Sequence, residues 1–510
     1  MKQKLCIVAL ALSVLLAGCS GMEVTDQQFG LPNQPAENEP VQEKPVPEPV
    51  STVNLAYSVN DTLNPYTMTT KLNRELVPLL YDSLTRPDKS FQPEYQLATE
   101  IIMQEKACTV KFRRNAQFSD GTLLTGEDIT YSIQTALTTD TNWRTMLQNI
   151  ANYTVNTDGD VVIQLYQEDA NFPALLTFPI IKKGTAGADY PTGVSKFYVS
   201  GTWGNTGVVL TANPIYYGDT GSIETVMLAN ASDPDALAFN LKSGDIDLVY
   251  SDLSSPELAN MSASSVPVSL CNLVYLGING SYGWLARAEF RQAISLAVNR
   301  DEIVSKAYVS RARATRYPFH PEFYRMNAME LSTPRSLTQA DALLDGIGLS
   351  SRDDNRMRLV NGRPLTLRLL VNSENAYRNA AATLVTEQLA QIGIKVEVVS
   401  QAFSQYQQTL QNGDYDLYLG ETRLMYNMDI APLLAGGALG YFTAYSEELS
   451  DSYRAYRATG AGIESFCELF LAQSPFVPLV FRQGSVSHNR EFRAEIVATE
   501  QDIFYNIVEW

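Results

Sequence analysis

Behind Lys2 and Lys4 the chain opens on an apolar core, Leu5 to Leu16, followed by Ala17-Gly18-Cys19. A positive start, an apolar run and small residues before a cysteine predict an export signal of the lipoprotein kind. Residues 1–18 would be removed and Cys19 would carry the lipid. The run is well short of the roughly 20 apolar residues that a membrane-crossing helix needs. From Ser20 to Pro49 hydrophobic periodicity disappears. Pro32, Pro35, Pro40, Pro45, Pro47 and Pro49 alternate with Glu37, Glu39, Glu43 and Glu48, and Phe29 is the sole aromatic residue. Such a stretch cannot bury enough apolar surface to fold, so residues 19–50 read as a disordered, semi-rigid acidic linker.

Regular patterning begins near Ser51. Glu224 to Leu228 reads as a strand, Asp233 caps a helix with Pro234 in its first turn, Gly244 ends it, and Ile246, Leu248 and Val249 resume a strand. A second unit repeats the scheme. Leu365, Leu367, Leu369 and Val371 alternate as a strand, Ala376, Ala380, Leu384 and Leu389 form a helical stripe, and Gly393 precedes a strand through Ile394, Val396 and Val398. Each is expected to be a βαβ unit crossing over onto its own sheet. Between them Phe290, Ile294, Ala297 and Val298 mark the core face of a helix within Arg287 to Tyr308. Earlier, Cys108 to Arg113 reads as a strand, Ser119-Asp120-Gly121-Thr122 as a turn, and Thr125-Gly126-Glu127-Asp128 as a capping box opening a helix with Ile129, Ile133 and Leu137. Asp120 is turn chemistry on this reading, and Glu127 and Asp128 favour the helix dipole rather than forming an acid/base pair. Val161 to Tyr166 adds a further strand. Two α/β lobes with a strand-rich piece inserted before the first unit are the simplest layout, with ligand at the carboxyl ends of the strands.

The ~460 residues after the linker are too many for one core. A net charge of −18 argues against nucleic acid or anionic lipid headgroups as partners. With two histidines in the chain there is no His-rich metal cluster. No Gly-x-Ser-x-Gly elbow and no phosphate-binding Gly-x-x-x-x-Gly-Lys-Ser/Thr loop is present, so no catalytic residue, metal ligand or cofactor is assigned. Once Cys6 and Cys19 are set aside, Cys108, Cys271 and Cys467 are an odd remainder and read as buried apolar residues.

The stretch Phe112 to Ile129, with Phe118-Ser119-Asp120-Gly121 and Glu127-Asp128, resembles the extracytoplasmic solute-binding proteins of ABC importers, family 5, the oligopeptide, dipeptide and nickel group. So do Asn64-Pro65, Leu80-Tyr81-Asp82-Ser83-Leu84, Asn213-Pro214 with Tyr216-Tyr217-Gly218, and Leu241 to Asp247. Arg291-Gln292-Ala293-Ile294 with Asn299-Arg300, and Gly413 to Leu417, continue the likeness in the family's order. The resemblance implies an α/β, bilobed periplasmic-binding-protein-like fold with an extra inserted domain, mixed sheets and a ligand cleft between lobes. Lobe I would comprise residues 51–86, 187–275 and 475–510, the inserted domain 87–186, and a hinged lobe II 276–474. It further implies a monomeric receptor without catalytic activity that delivers short peptides to membrane permease subunits. Oligosaccharide, opine or nickel-chelate cargo, an extracellular enzyme using two cleft carboxylates, and a signalling lipoprotein on the same fold are the alternatives.

Two departures bear on cargo. Where the family has Gly-Thr-Gly-Pro-Tyr, this chain has Pro191-Thr192-Gly193-Val194-Ser195. Where peptide-binding members place an aspartate for the peptide's amino group, Tyr426 stands, so an amino-terminal salt bridge would come from Asp429 or Glu421 or be absent. Arg423, Tyr426, Asn427 and Asp429 follow the strand Leu417-Tyr418-Leu419 and are the main ligand-binding candidates. Tyr441 and Phe442 beside Gly440, and Trp203, are the aromatic ones.

Overall fold

The computed structural model describes residues 48–231, 233–254 and 264–510; Cys19 and nearly all of the linker lie outside them. Among the described residues three sheets have four or more strands. The first runs Thr52–Tyr57, Thr225–Asn230, Gly207–Ala212, Phe197–Trp203, its first pair parallel and the rest antiparallel. The second is fully antiparallel, in the order Ala98–Gln104, Ala107–Phe112, Val161–Leu165, Ile150–Val155. Both sheets pack into one hydrophobic core, in which Val110, Phe112 and Val161 join Leu55, Leu210, Leu228 and Trp510.

The third sheet is the largest among the described residues, with seven strands. Its backbone is a pair of long antiparallel strands, Ser264–Ile278 and Phe476–His488, each on the order of 40–50 Å long. One end of the pair carries Leu248–Ser251 against Ser485 to His488. The other carries Leu417–Arg423 against Asn272 to Ile278, and beyond it the parallel strands Thr366–Asn372 and Lys395–Gln401. The long ladder shifts register between Val274 and Tyr275, opposite Pro478, which has no N–H to donate. A wider gap lies between Ser269 and Leu273, where Arg482 faces the interrupted stretch.

Local chemistry explains most helix boundaries. Thr125 and Asp128 form the reciprocal capping box, and Asp233 accepts from Ala236 N at 2.9 Å while Gly244 ends its helix at φ +85°. Three expectations need correction. The strand after Gly244 does not return to the sheet of Thr225–Asn230, because Thr52–Tyr57 already pairs with that strand residue for residue. Leu248–Ser251 joins the third sheet instead and touches Thr52–Tyr57 through Asp247 N to Asn54 O, 2.8 Å. The crossover helix Ala376–Ala390 buries Ala381, Ala382, Leu384, Val385, Gln388 and Leu389, leaving Ala376 and Ala380 exposed. The helix in Arg287 to Tyr308 stops at Val298 (ψ 125°), where Asn299 recaps the chain and Arg300 turns inward to donate to Pro478 O and Ser295 O.

Several residues that carry the family resemblance act in the architecture. Tyr216 and Tyr217 both donate to Asp82 Oδ2 at 2.7 Å, Asn213 donates to Ser195 O, and the Arg291 guanidinium donates to four backbone carbonyls. Asp416 accepts from Arg368 N and Tyr282 OH. Cys108, Cys271 and Cys467 are buried and unpaired, and burial pushes the Cys108 thiol up to about 12.

Candidate functional site

The carboxyl ends of Leu248–Ser251, Leu417–Arg423 and Thr366–Asn372 meet at the gap in the long ladder. Parallel strands with their crossover helices concentrate helix N-termini and loop side chains at such an edge. Seven charged side chains from well-separated segments gather here. Lys71 reaches Asp252 at 3.1 Å and lies 4.8 Å from the Tyr250 ring centre. Arg482 donates to Asp252 O at 2.7 Å and to Glu421 Oε1 at 2.8 Å, and Asn272 adds a second bond to Glu421 at 3.0 Å. Arg423 pairs with Glu500 at 2.6 Å and donates to Tyr426 OH at 3.1 Å, while Glu500 also accepts from Cys271 N at 2.9 Å. Beside them, burial pushes the Glu75 carboxyl up to about 8, with Asp252 adding to the effect and Lys71 opposing it. Glu500 pushes the Arg423 guanidinium well above its ordinary value.

One cation in this crevice is underused. Arg378, in the first turn of Ala376–Ala390, lies 3.9 Å from Glu421, which already serves Arg482, and its buried Nε has no hydrogen-bond acceptor among the described residues. Tyr308, 3% exposed, stacks on Tyr377 at 5.5 Å, and its hydroxyl likewise lacks a partner among the described residues. Two cations, Arg378 and Arg482, thus flank the one Glu421 carboxylate, beside a buried guanidinium N–H and a buried hydroxyl that lack partners among the described residues.

The candidates named from sequence separate in space. Arg423 and Tyr426 stand together at the crevice, and Tyr426 also lines a cavity of about 200 Å³ with Phe91, Pro267 and Gln483. Met428, at φ +51°, turns the chain away. Asn427 and Asp429 line a different cavity, of about 850 Å³, between residues 146–175 and the helix Glu447–Thr459. There Asp429 accepts from Tyr453 OH at 2.7 Å and Ala431 N at 2.9 Å. Neither acid expected to meet a cargo amine is free at the crevice, since Glu421 is held by Arg482 and Asn272. Tyr441 and Phe442 pack on Tyr418 and Tyr415 at the start of Leu417–Arg423, about 20 Å from Arg423 along the strand. Trp203 sits at the tip of a hairpin in the first sheet and donates to Leu228 O at 3.2 Å. Sequence reasoning missed Arg378, although an arginine in the first turn after a strand's carboxyl end is a readable signal. Among the described residues no group of three or more His, Cys, Asp or Glu could hold a metal ion, and no helix is long and apolar enough to cross a membrane.

The family model described as "Bacterial extracellular solute-binding proteins, family 5 Middle" matches residues 92–434. The oligopeptide-binding protein AppA of Bacillus subtilis is 23% identical over 440 residues, 80% of this chain and 78% of its own length. Two solved structures share the fold. The unliganded open form of MppA, a periplasmic murein tripeptide binding protein, aligns with a TM-score of 0.74 at 17% identity, covering 87% of this chain and 94% of its own. A nickel ABC transporter protein of Bacillus halodurans aligns with a TM-score of 0.73 at 18% identity, covering 89% and 98%.

Proposed function

This chain belongs to family 5 of the bacterial extracellular solute-binding proteins, and we propose that it captures short peptides in the crevice between its lobes, carboxylate towards Arg378 and Tyr308. It would then pass them to the permease subunits of an ABC importer as a monomer tethered through a lipid on Cys19. Lobe boundaries at residues 51–86, 187–275 and 475–510 for the first lobe and 276–474 for the second, with 87–186 inserted, belong to the same reading. The observation that carries the cargo assignment is the pair of unpartnered groups, Arg378 Nε and Tyr308 OH, beside a carboxylate already shared. A buried donor left unpaired costs free energy that a cargo carboxylate recovers on binding. The oligopeptide-binding relative supports peptide as the class.

Calorimetry of peptides with a free or an amidated carboxyl terminus tests this reading. The acid form should bind at least tenfold more tightly, a difference of about 1.4 kcal/mol. Arg378→Gln should abolish the difference by weakening the acid form alone. Equal affinity for both forms in the unaltered protein would remove the carboxylate assignment.

The same anionic receptor also fits a metal held by a carboxylate-bearing chelator, a reading that the nickel-transport structural relative favours. The protein itself would then ligate no metal, and nickel alone should not bind while its chelate does.

A further inference from the structure

A second group of arginines lies away from the crevice, where the helix Ala288–Ala297 packs against the helix Ile463–Gln473. Its three members are served very differently. The Arg291 guanidinium is saturated by the carbonyls of Leu285, Ala286, Gln473 and Ser474, as expected of an arginine that closes chain ends. Arg300, 2% exposed, donates to Pro478 O at 2.8 Å, Ser295 O at 3.1 Å and Ser295 Oγ at 3.0 Å, which leaves two of its five N–H groups over. Arg316 donates to Tyr317 OH at 2.7 Å, and its buried Nε has no partner among the described residues.

Neither Arg300 nor Arg316 bonds to a carboxylate among the described residues; Asp301 and Glu330 act on them only through space. Burial, with the Arg316 charge adding to it, pushes the Arg300 guanidinium down to about 10, so the two cations oppose each other. The helix-end carbonyls that could have taken their spare donors already serve others, Ala472 O accepting from Gln292 and Gln473 O from Arg291.

Both arginines line one cavity of about 270 Å³, whose other polar lining is Gln292, Ser295 and Ser474, with no Asp or Glu among the described residues. Pro334 in that lining is exposed, so the cavity meets solvent. Its volume lies just below the ~300–1,000 Å³ of ordinary ligand pockets, which leaves room for a small ion or molecule and not for a peptide. Planar guanidinium forks match the oxygens of a phosphate group, and two of them match its charge.

We propose that Arg300 and Arg316 bind a small, doubly charged oxyanion in this cavity, a phosphate group either free or carried on a small molecule. The site is independent of the cargo assignment, since neither Arg378 nor Tyr308 belongs to it.

Calorimetry of the full chain without peptide tests the site, with inorganic phosphate and glycerol phosphate as probes, each compared with sodium chloride at equal ionic strength. One saturable site is expected, and the melting temperature should rise with probe concentration, as binding to the folded state requires. Arg316→Gln should weaken binding by about tenfold or more. Arg316→Lys, which keeps the charge but not the fork, should recover part of the loss. Ser295→Asp places a carboxylate beside Arg300. It should abolish probe binding and raise melting in buffer alone, and it covers the case in which Arg316→Gln fails to fold. Tighter binding of the ester would identify a phosphorylated small molecule as the ligand, and tighter binding of inorganic phosphate the free ion. Absence of saturable binding by the unaltered protein, or binding that survives in folded Arg316→Gln and Ser295→Asp, would overturn the site. Arg378→Gln should leave phosphate binding unchanged; loss of binding in that variant alone would put the anion in the crevice and overturn the proposal. Failure of the peptide assignment would leave all of these results untouched.

Discussion

His320 offers a quantitative test of how the core between Phe91 and Phe481 is packed. The ring is fully buried, 4.7 Å from Phe91 and 4.8 Å from Phe481 between ring centres. Nδ1 accepts from Glu322 N at 3.0 Å, and Nε2 has no partner among the described residues. Burial pushes the imidazole down to about 3, with Arg313 adding to the effect. The unfolded chain takes up a proton near the ordinary histidine value of about 6.5, whereas the folded protein resists it until about pH 3. The folded pKa is depressed, so this contribution to stability is present above about pH 6.5 and lost as pH falls towards 3. At about 1.4 kcal/mol per pH unit, the loss at pH 5 is about 2 kcal/mol. With two histidines in the chain, the ring Cε1–H resonances can be followed individually, and His320→Asn identifies which is which. The His320 signal should not move between pH 8 and pH 4.5. Urea unfolding at pH 7 and pH 5 should show about 2 kcal/mol less destabilisation by acid in His320→Asn than in the unaltered protein. A His320 midpoint between pH 6 and 7, or equal acid sensitivity of the two proteins, would refute the buried, neutral imidazole.

Two further outcomes can be checked directly. Gly277 pairs with Tyr418, and Gly420 with Tyr275, so each glycine lies beneath the other strand's ring. A Cβ on Gly277 would sit 2.0 Å from the Tyr418 ring, so Gly277→Ala should cost about 1–3 kcal/mol through forced repacking, measured by chemical unfolding. Cys19→Ala should eliminate incorporation of labelled palmitate and leave the protein unprocessed or released, whereas Cys6→Ala should do neither. Labelling that persists in Cys19→Ala would remove the anchor.

Much of the fold was readable where local chemistry decides it. Thr125 and Asp128, Asp233, Gly244 and the alternation through Leu367, Leu369 and Val371 each act within a few residues of themselves. The partner of Leu248–Ser251 was not readable, because it depends on Thr52–Tyr57 occupying a sheet edge far away in sequence. The crevice was legible only in part for a related reason. Lys71, Asp252, Arg378, Arg482 and Glu500 come from separate segments, and each alone looks like a solvated surface charge. Asp429 shows the converse, since closeness to Arg423 in sequence did not survive the left-handed turn at Met428, and Asn427, just before that turn, is drawn away by its bond to Asp169. The motif residues Asp82, Asn213, Tyr216, Tyr217 and Arg291 identified the family while serving its scaffold.

The interrupted ladder at Arg482 has a mechanical consequence. Between Ser269 and Leu273 the two long strands lose their own ladder, and the short strand Ala312–Ala314 pairs with Arg482 to Val480 on the other side, so a third strand braces the ribbon where it is interrupted. Arg482 adds side-chain bonds to Glu421 and to the backbone of Asp252 at the same level, so one arginine joins three distant segments where the backbone ladder fails to. Loss of that side chain should therefore be felt in all three segments at once.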